Sequence, residues 1–189
     1  MATTYLSRTP ATAGSRTTWT WSAWIKLSAF SGTTFYLENA GSSGTNDTGF
    51  SITANSNLEL FNRISGSVNA KKTPSRKLRD TSAWYHVVGV WDTTNATADD
   101  RLRLYINGER ETAFDISTNP SSSENSSLNN NVLHSIGSVA GGGAGTYFDG
   151  LMAHVNFIDG TAYPASTFGE TDSLTGIWVP ITSPSVTYG

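Results

Sequence analysis

Apolar and polar residues alternate with period two through most of this chain, and no segment sustains an apolar repeat at i, i+3, i+4 and i+7. The pattern predicts strands throughout, with helix limited to a turn or two. The clearest strand is residues 18–27, where Trp19, Trp21, Ala23, Ile25 and Leu27 share one face and Thr18, Thr20, Ser22, Trp24 and Lys26 the other. The first set is expected in the core. Shorter strands are expected at residues 34–38, 49–54 and 58–63, between Gly/Ser/Asn/Asp clusters that supply turns. Residues 83–92 are apolar on both faces, with Tyr85, Val87 and Trp91 opposed to Trp84, Val88 and Val90, so this strand is expected mid-sheet and covered twice. Residues 101–107 alternate cleanly, Leu102, Leu104 and Ile106 inward against Arg101, Arg103, Tyr105 and Asn107 outward. Asn107-Gly108 then signals a hairpin, because both residues tolerate positive φ, and residues 109–114 form the return strand.

Residues 117–131 are polar and of low complexity, and residues 141–145 are nearly all glycine, so both are expected as exposed loops around a strand at 132–138. A further strand fills the stretch 147–160 between two turns, and residues 176–181 form a last apolar segment. Strands of one character run on both sides of every loop, and the 189 residues suit a single domain spanning 1–189 with a sizeable core.

Composition narrows the function. There is no Cys, which removes disulfides, thiolate nucleophiles and Cys-based metal sites. Only 14% of residues are charged and the net charge is -3, which gives no field for gripping nucleic acid. No apolar run approaches bilayer length and no signal-like start is present, so a soluble, unprocessed chain without membrane insertion is expected. Sequons at Asn46, Asn95 and Asn125 are what chance gives in so Ser/Thr/Asn-rich a chain.

The runs 19–26 (WTWSAWIK), 84–88 (WYHVV), 104–109 (LYINGE), and Ile136-Gly137-Ser138 followed by Phe148-Asp149-Gly150 resemble, in order and spacing, the laminin G-like, concanavalin A-like jelly rolls. More narrowly, residues 5–10, 80–86, 155–160 and 168–170 are similar to the version found in virion proteins of marine bacteriophages and related viruses. The resemblance implies an all-β, two-sheet antiparallel jelly-roll sandwich on a virion surface, with other capsid or tail proteins as partners and host-surface polysaccharide as a ligand; homo-oligomerisation is left open. Buried sheet faces and long polar rim loops agree with that fold.

Candidate glycan-binding residues follow from the outward faces. Trp24 sits among polar neighbours, where an indole can stack on a sugar ring while Lys26 and Ser22 bond its hydroxyls; the alternative is that loops cover it as satellite core. Arg103 and Tyr105 form an outward stripe with Arg101, which His86, His154 and Asn156 join if their strands are neighbours facing the same way. The alternatives are a solvated or subunit-contacting face and hydrogen-bonded structural histidines. Some members of the resembled family hold calcium on rim loops, which makes Asp47, Asp99, Asp100 and Asp149 candidate ligands, against solvated turn aspartates. The basic cluster Lys71, Lys72, Arg76, Lys77 and Arg79 is read as a solvated loop or as a contact for an acidic capsid or host surface.

Catalysis lacks its parts. Glu170-Thr171-Asp172 begins a Glu-x-Asp pattern near the chain end, away from any central strand, and no nucleophile elbow, zinc motif or phosphate loop is present. A non-enzyme is expected. With its first strand starting by about Tyr5 and its end close behind the last, the chain has no room for a fibre's anchor and shaft. Capsid decoration with lectin-like adhesion is therefore favoured over a receptor-binding tail-fibre domain and over a glycoside hydrolase of the same fold.

Overall fold

The structure, a computed structural model, describes residues 4–29, 32–42, 44–143 and 146–189. The glycine run at 141–145 therefore falls partly outside the described residues. Fourteen strands follow in order: β1 (Leu6–Arg8), β2 (Thr18–Leu27), β3 (Phe35–Ser42), β4 (Asn46–Ile52), β5 (Leu58–Ile64), β6 (Ser67–Pro74), β7 (Tyr85–Asp92), β8 (Leu102–Ile106), β9 (Glu109–Arg110), β10 (Phe114–Thr118), β11 (His134–Ile136), β12 (Gly150–Asp159), β13 (Gly169–Thr171) and β14 (Trp178–Pro180). Single 3₁₀ turns at Ala98–Asp100 and Ala165–Thr167 are the helical content among the described residues, none of it long or apolar enough to cross a membrane.

Two antiparallel sheets stack as a sandwich: seven strands in the order β1-β11-β3-β4-β5-β6-β10, and five in the order β12-β2-β7-β8-β9. The predicted inner row of β2 is buried, and it meets Leu37, Phe50, Ile52, Leu58 and Leu60 from the facing sheet. Trp19 stacks on Trp91 at 6.1 Å between ring centres, and Trp21 meets Phe50 edge-on at 5.0 Å. Each such buried side chain contributes about 1.5–3 kcal/mol. The predicted Asn107-Gly108 hairpin forms with φ of 50° and 83°.

Three local departures matter below. The basic cluster is not a loop throughout, since Lys71 and Lys72 lie in β6. Lys71 pairs with Glu59 at 2.9 Å, Lys72 is buried with Nζ donating to the Asp99 carbonyl at 2.9 Å, and Arg76 pairs with Glu109 and Glu111. In β3 a bulge between Tyr36 and Glu38 reverses the alternation, so Leu37 and Glu38 both point inward. In edge strand β12 a second bulge between Ala153 and Asn156 puts His154 at φ 48°, braced by Asn156 Nδ2 donating to its carbonyl at 2.8 Å.

Candidate functional site

The glycan candidates fall on the outer face of the five-stranded sheet, where β2 pairs Trp24 with His86, and β7 pairs Val88 with Tyr105 and Val90 with Arg103. That face is not open. The segment 161–181 folds back over it: Thr20 Oγ1 donates to the Thr161 carbonyl and accepts from the Tyr163 N–H, while Ala165, Ala162 and Trp178 pack on Val88, Val90 and Tyr105. The physical reason is the double-sided apolar character of β7, whose outer valines need a lid as much as its inner residues need a core.

This lid corrects the expected exposure of several candidates. Trp24 is 8% exposed and stacked on His86 at 5.2 Å, so no sugar can lie on its ring. Tyr105 is buried under the same segment. His86 is fully buried, with Nδ1 accepting from Trp178 Nε1 at 3.0 Å and Nε2 against Ser22 Oγ at 2.9 Å. The Trp178 N–H requires a free lone pair on Nδ1, which assigns the neutral ring with its proton on Nε2. Burial, helped by the charge of His154, pushes the His86 pKa down to about 4. Arg103 is partly covered and faces Asp92 at 3.8 Å. Arg101 spends its guanidinium on the carbonyls of Asn95, Ala96 and Pro120. His154 stays exposed on the β12 bulge.

One end of the face remains open. Lys26 pairs with Leu151 across β2 and β12, and Trp84 immediately precedes β7, whose register with β2 ends at the Ile25–Tyr85 pair. Trp84 is 40% exposed. In the preceding turn, Asp80 accepts from the Ser82 hydroxyl and N–H at 2.6 and 2.8 Å, and these bonds, with Lys26 nearby, hold its carboxyl below the usual range. An exposed indole offers an apolar face on which a sugar ring can stack. The alternation that sets Trp84 against Tyr85 was the signal for it in the sequence.

A second concavity opens where the two sheets splay apart at β1, β11 and β12. It measures about 620 Å³ and is lined by Leu6, Arg8, Glu38, Ile136, Phe157 and Asp159, among others. Glu38 is 5% exposed, with Oε2 accepting from Trp21 Nε1 at 3.1 Å. Burial raises its pKa to about 8 against that hydrogen bond, so the acid is neutral at pH 7. Asp159 Oδ1 accepts from the Ser15 N–H at 2.7 Å and Asn129 Nδ2 at 2.6 Å.

The family described as the concanavalin A-like lectin/glucanases superfamily matches residues 2–166. The chain belongs to that superfamily. Among solved structures, this superfamily member is similar to the heptameric SAP-like pentraxin from Limulus polyphemus (18% identity, 94% of this chain and 85% of that one, TM-score 0.60). It is also similar to mouse laminin alpha1 domains LG4-5 (8% identity, 86% and 40%, TM-score 0.57). A third similar structure is the CBM40 of the Ruminococcus gnavus IT-sialidase bound to alpha2,3 sialyllactose (13% identity, 82% and 80%, TM-score 0.53). At these identities the likeness is one of fold. No curated sequence matches the chain at a significant level.

The calcium expectation for this lectin-like fold meets an unsuitable donor set. Asp47 is buried in β4 against Arg63 at 2.7 Å, Asp99 takes Asn119 Nδ2, Asp100 takes Arg110, and Asp149 lies just before β12 with its carbonyl accepting from the Ser28 N–H at 2.9 Å. Among the described residues no three acidic or imidazole side chains converge, whereas calcium takes six to eight oxygens. Each aspartate, apart from Asp149, already has a hydrogen-bonding partner of its own.

Proposed function

We propose that this domain is a non-catalytic carbohydrate binder displayed on a virus particle, where it decorates the capsid and adheres to glycans of the host or its surroundings. The observation that carries the reading is Trp84, a large indole left 40% exposed just before β7, next to a sheet face whose other aromatic residues are covered. The superfamily fold supports a lectin-like role. The CBM40 likeness supports testing acidic sugars, for which Lys26 is the complementary charge. The similarity of residues 5–10, 80–86, 155–160 and 168–170 to marine phage virion proteins supports the particle surface, with capsid proteins as partners.

A hydrolase needs two carboxylates free to flank a glycosidic bond. Glu38 and Asp159 share the cleft, but one braces the Trp21 indole and the other ties Ser15 to Asn129. Glu170 is exposed on β13, and Asp172 caps its own turn by accepting from Leu174 and Thr175. These commitments favour binding over bond cleavage.

A glycan array and host polysaccharide are the test. Wild type binds and Trp84→Ala weakens binding by at least about tenfold with folding unchanged; equal binding by both, or release of reducing sugar, refutes the reading. Immunogold labelling of intact particles tests the location: even labelling of the head supports decoration, and labelling confined to tail tips overturns it in favour of a receptor-binding fibre.

A further inference from the structure

We propose that the cavity where β3, β4 and β5 meet the loop 125–132 is a binding site for an organic monocarboxylate with a short apolar tail, held by Arg16 and Arg63. Its volume of about 510 Å³ is that of a small-ligand pocket, and it shares no lining residue with the β1/β11 cleft or with the Trp84 surface. The loop side of the cavity is fixed in place. The Ser127 N–H donates to Thr48 Oγ1 at 2.7 Å, Asn62 Nδ2 donates to the Asn125 carbonyl at 3.3 Å, and Leu128 is buried in the core.

Donors dominate the lining. Arg16 Nε donates to the Ser126 carbonyl at 2.8 Å, which orients the guanidinium, and its two Nη groups have no protein partner among the described residues. Arg63 gives Nη1 to Asp47 at 2.7 Å and lies over the Phe61 ring at 5.2 Å, with Nε and Nη2 unpaired among the described residues. Asn46 and Asn130 have committed Oδ1 to the N–H groups of Ser65 and Asn131, both at 2.9 Å, so what each has left is the Nδ2 donor pair. No Asp or Glu lines the cavity. Glu124, beside Asn125 in sequence, is taken by Asn62 Nδ2 and the Ser121 N–H.

Charge and shape select the ligand. Two guanidiniums against the one Asp47 carboxylate leave a single positive charge uncompensated, which a monoanion cancels and a dianion overshoots. A half-buried cation without a counter-ion is costly, and a planar carboxylate offsets that cost by accepting two parallel N–H bonds from one guanidinium fork. Ile64 and Val132 complete the lining with apolar surface, which suits a hydrocarbon tail rather than a bare inorganic ion.

The test is a ¹H–¹⁵N titration of the full chain with butyrate and hexanoate, beside butyramide, inorganic phosphate and D-glucuronate, at a constant ionic strength of about 0.15 M that screens loose ion pairing. Butyrate or hexanoate is expected to shift the Arg16 and Arg63 Nε–H signals and the amides of Ser42, Asn46 and Ser127 saturably. Butyramide, which has the same shape without the charge, is expected to leave them in place. Arg16→Gln weakens binding by at least about tenfold. Asn130→Asp reads the site even if that variant misfolds, because it keeps the acceptor for the Asn131 N–H and adds an anion to the lining; it too lowers affinity by at least about tenfold. Trp84→Ala leaves binding unchanged, so failure here and failure of the proposed glycan surface are told apart. No saturable shift with either acid, equal shifts with butyramide, tighter binding of phosphate or glucuronate than of both acids, or full affinity in Asn130→Asp overturns the proposal.

Discussion

Glu38 gives the sharpest energetic consequence of this fold. Its carboxyl titrates at about 8 in the folded chain against 4.5 as its ordinary value, with burial as the main cause. The folded state therefore holds a proton that the unfolded chain has released, and stability falls as pH rises from 4.5 to 8, then stays level. The penalty is about 1.4 kcal/mol per pH unit and about 5 kcal/mol over the whole window. Glu38→Gln keeps the acceptor for the Trp21 indole and has nothing to titrate. Urea unfolding of both proteins at pH 5, 6, 7 and 8 should show the variant gaining on wild type throughout, by about 4 kcal/mol between pH 5 and pH 8. His86 acts with the opposite sign. Its lowered pKa means that the unfolded state binds the extra proton between about 4 and 6.5, so stability rises with pH there. Both proteins share that slope, and the difference between them isolates Glu38. A difference that stays flat from pH 5 to 8 would refute the buried-acid argument.

Other perturbations probe the lid and the aspartates. Trp178→Ala uncovers Val88 and Val90 and removes the donor to His86 Nδ1, so the chain should lose about 3 kcal/mol in urea unfolding, and the His86 pKa measured by NMR should move up toward 6.5. Asp47→Asn breaks a buried pair with Arg63 while keeping the Asn39 contact, and a loss of about 2 kcal/mol is expected in the same assay. Added calcium or chelator should leave the thermal midpoint unchanged, since the donors do not converge; a rise of several degrees with calcium would contradict the scattered geometry.

The inner row of β2 was legible because five apolar residues in strict alternation leave one way to face a core. The outer row was not, because its burial depends on a lid, the segment 161–181, whose covering residues Ala162, Ala165 and Trp178 lie in a loop, a single 3₁₀ turn and a three-residue strand, too short to show a period. The double-sided apolar pattern of β7 announced that something covers it without naming the segment. Lys71 and Lys72 hid β6, as one pairs with Glu59 and the other hydrogen-bonds to the Asp99 carbonyl, 27 residues along the chain. Glu38 was unreadable for a local reason: the bulge after Tyr36 shifts the parity, and an acid that alternation assigns to the outside turns in beside Trp21. Trp84 could have been found, because it stands out of phase with Tyr85.

The kink at His154 has a bearing on how copies of this domain live together. A flat outermost strand offers its unpaired amides to any neighbouring chain. By twisting mid-length and tucking a carbonyl onto Asn156, β12 interrupts that row of free bonding groups. Chains that meet at this edge thus touch through side chains without zipping their layers into one continuous ribbon.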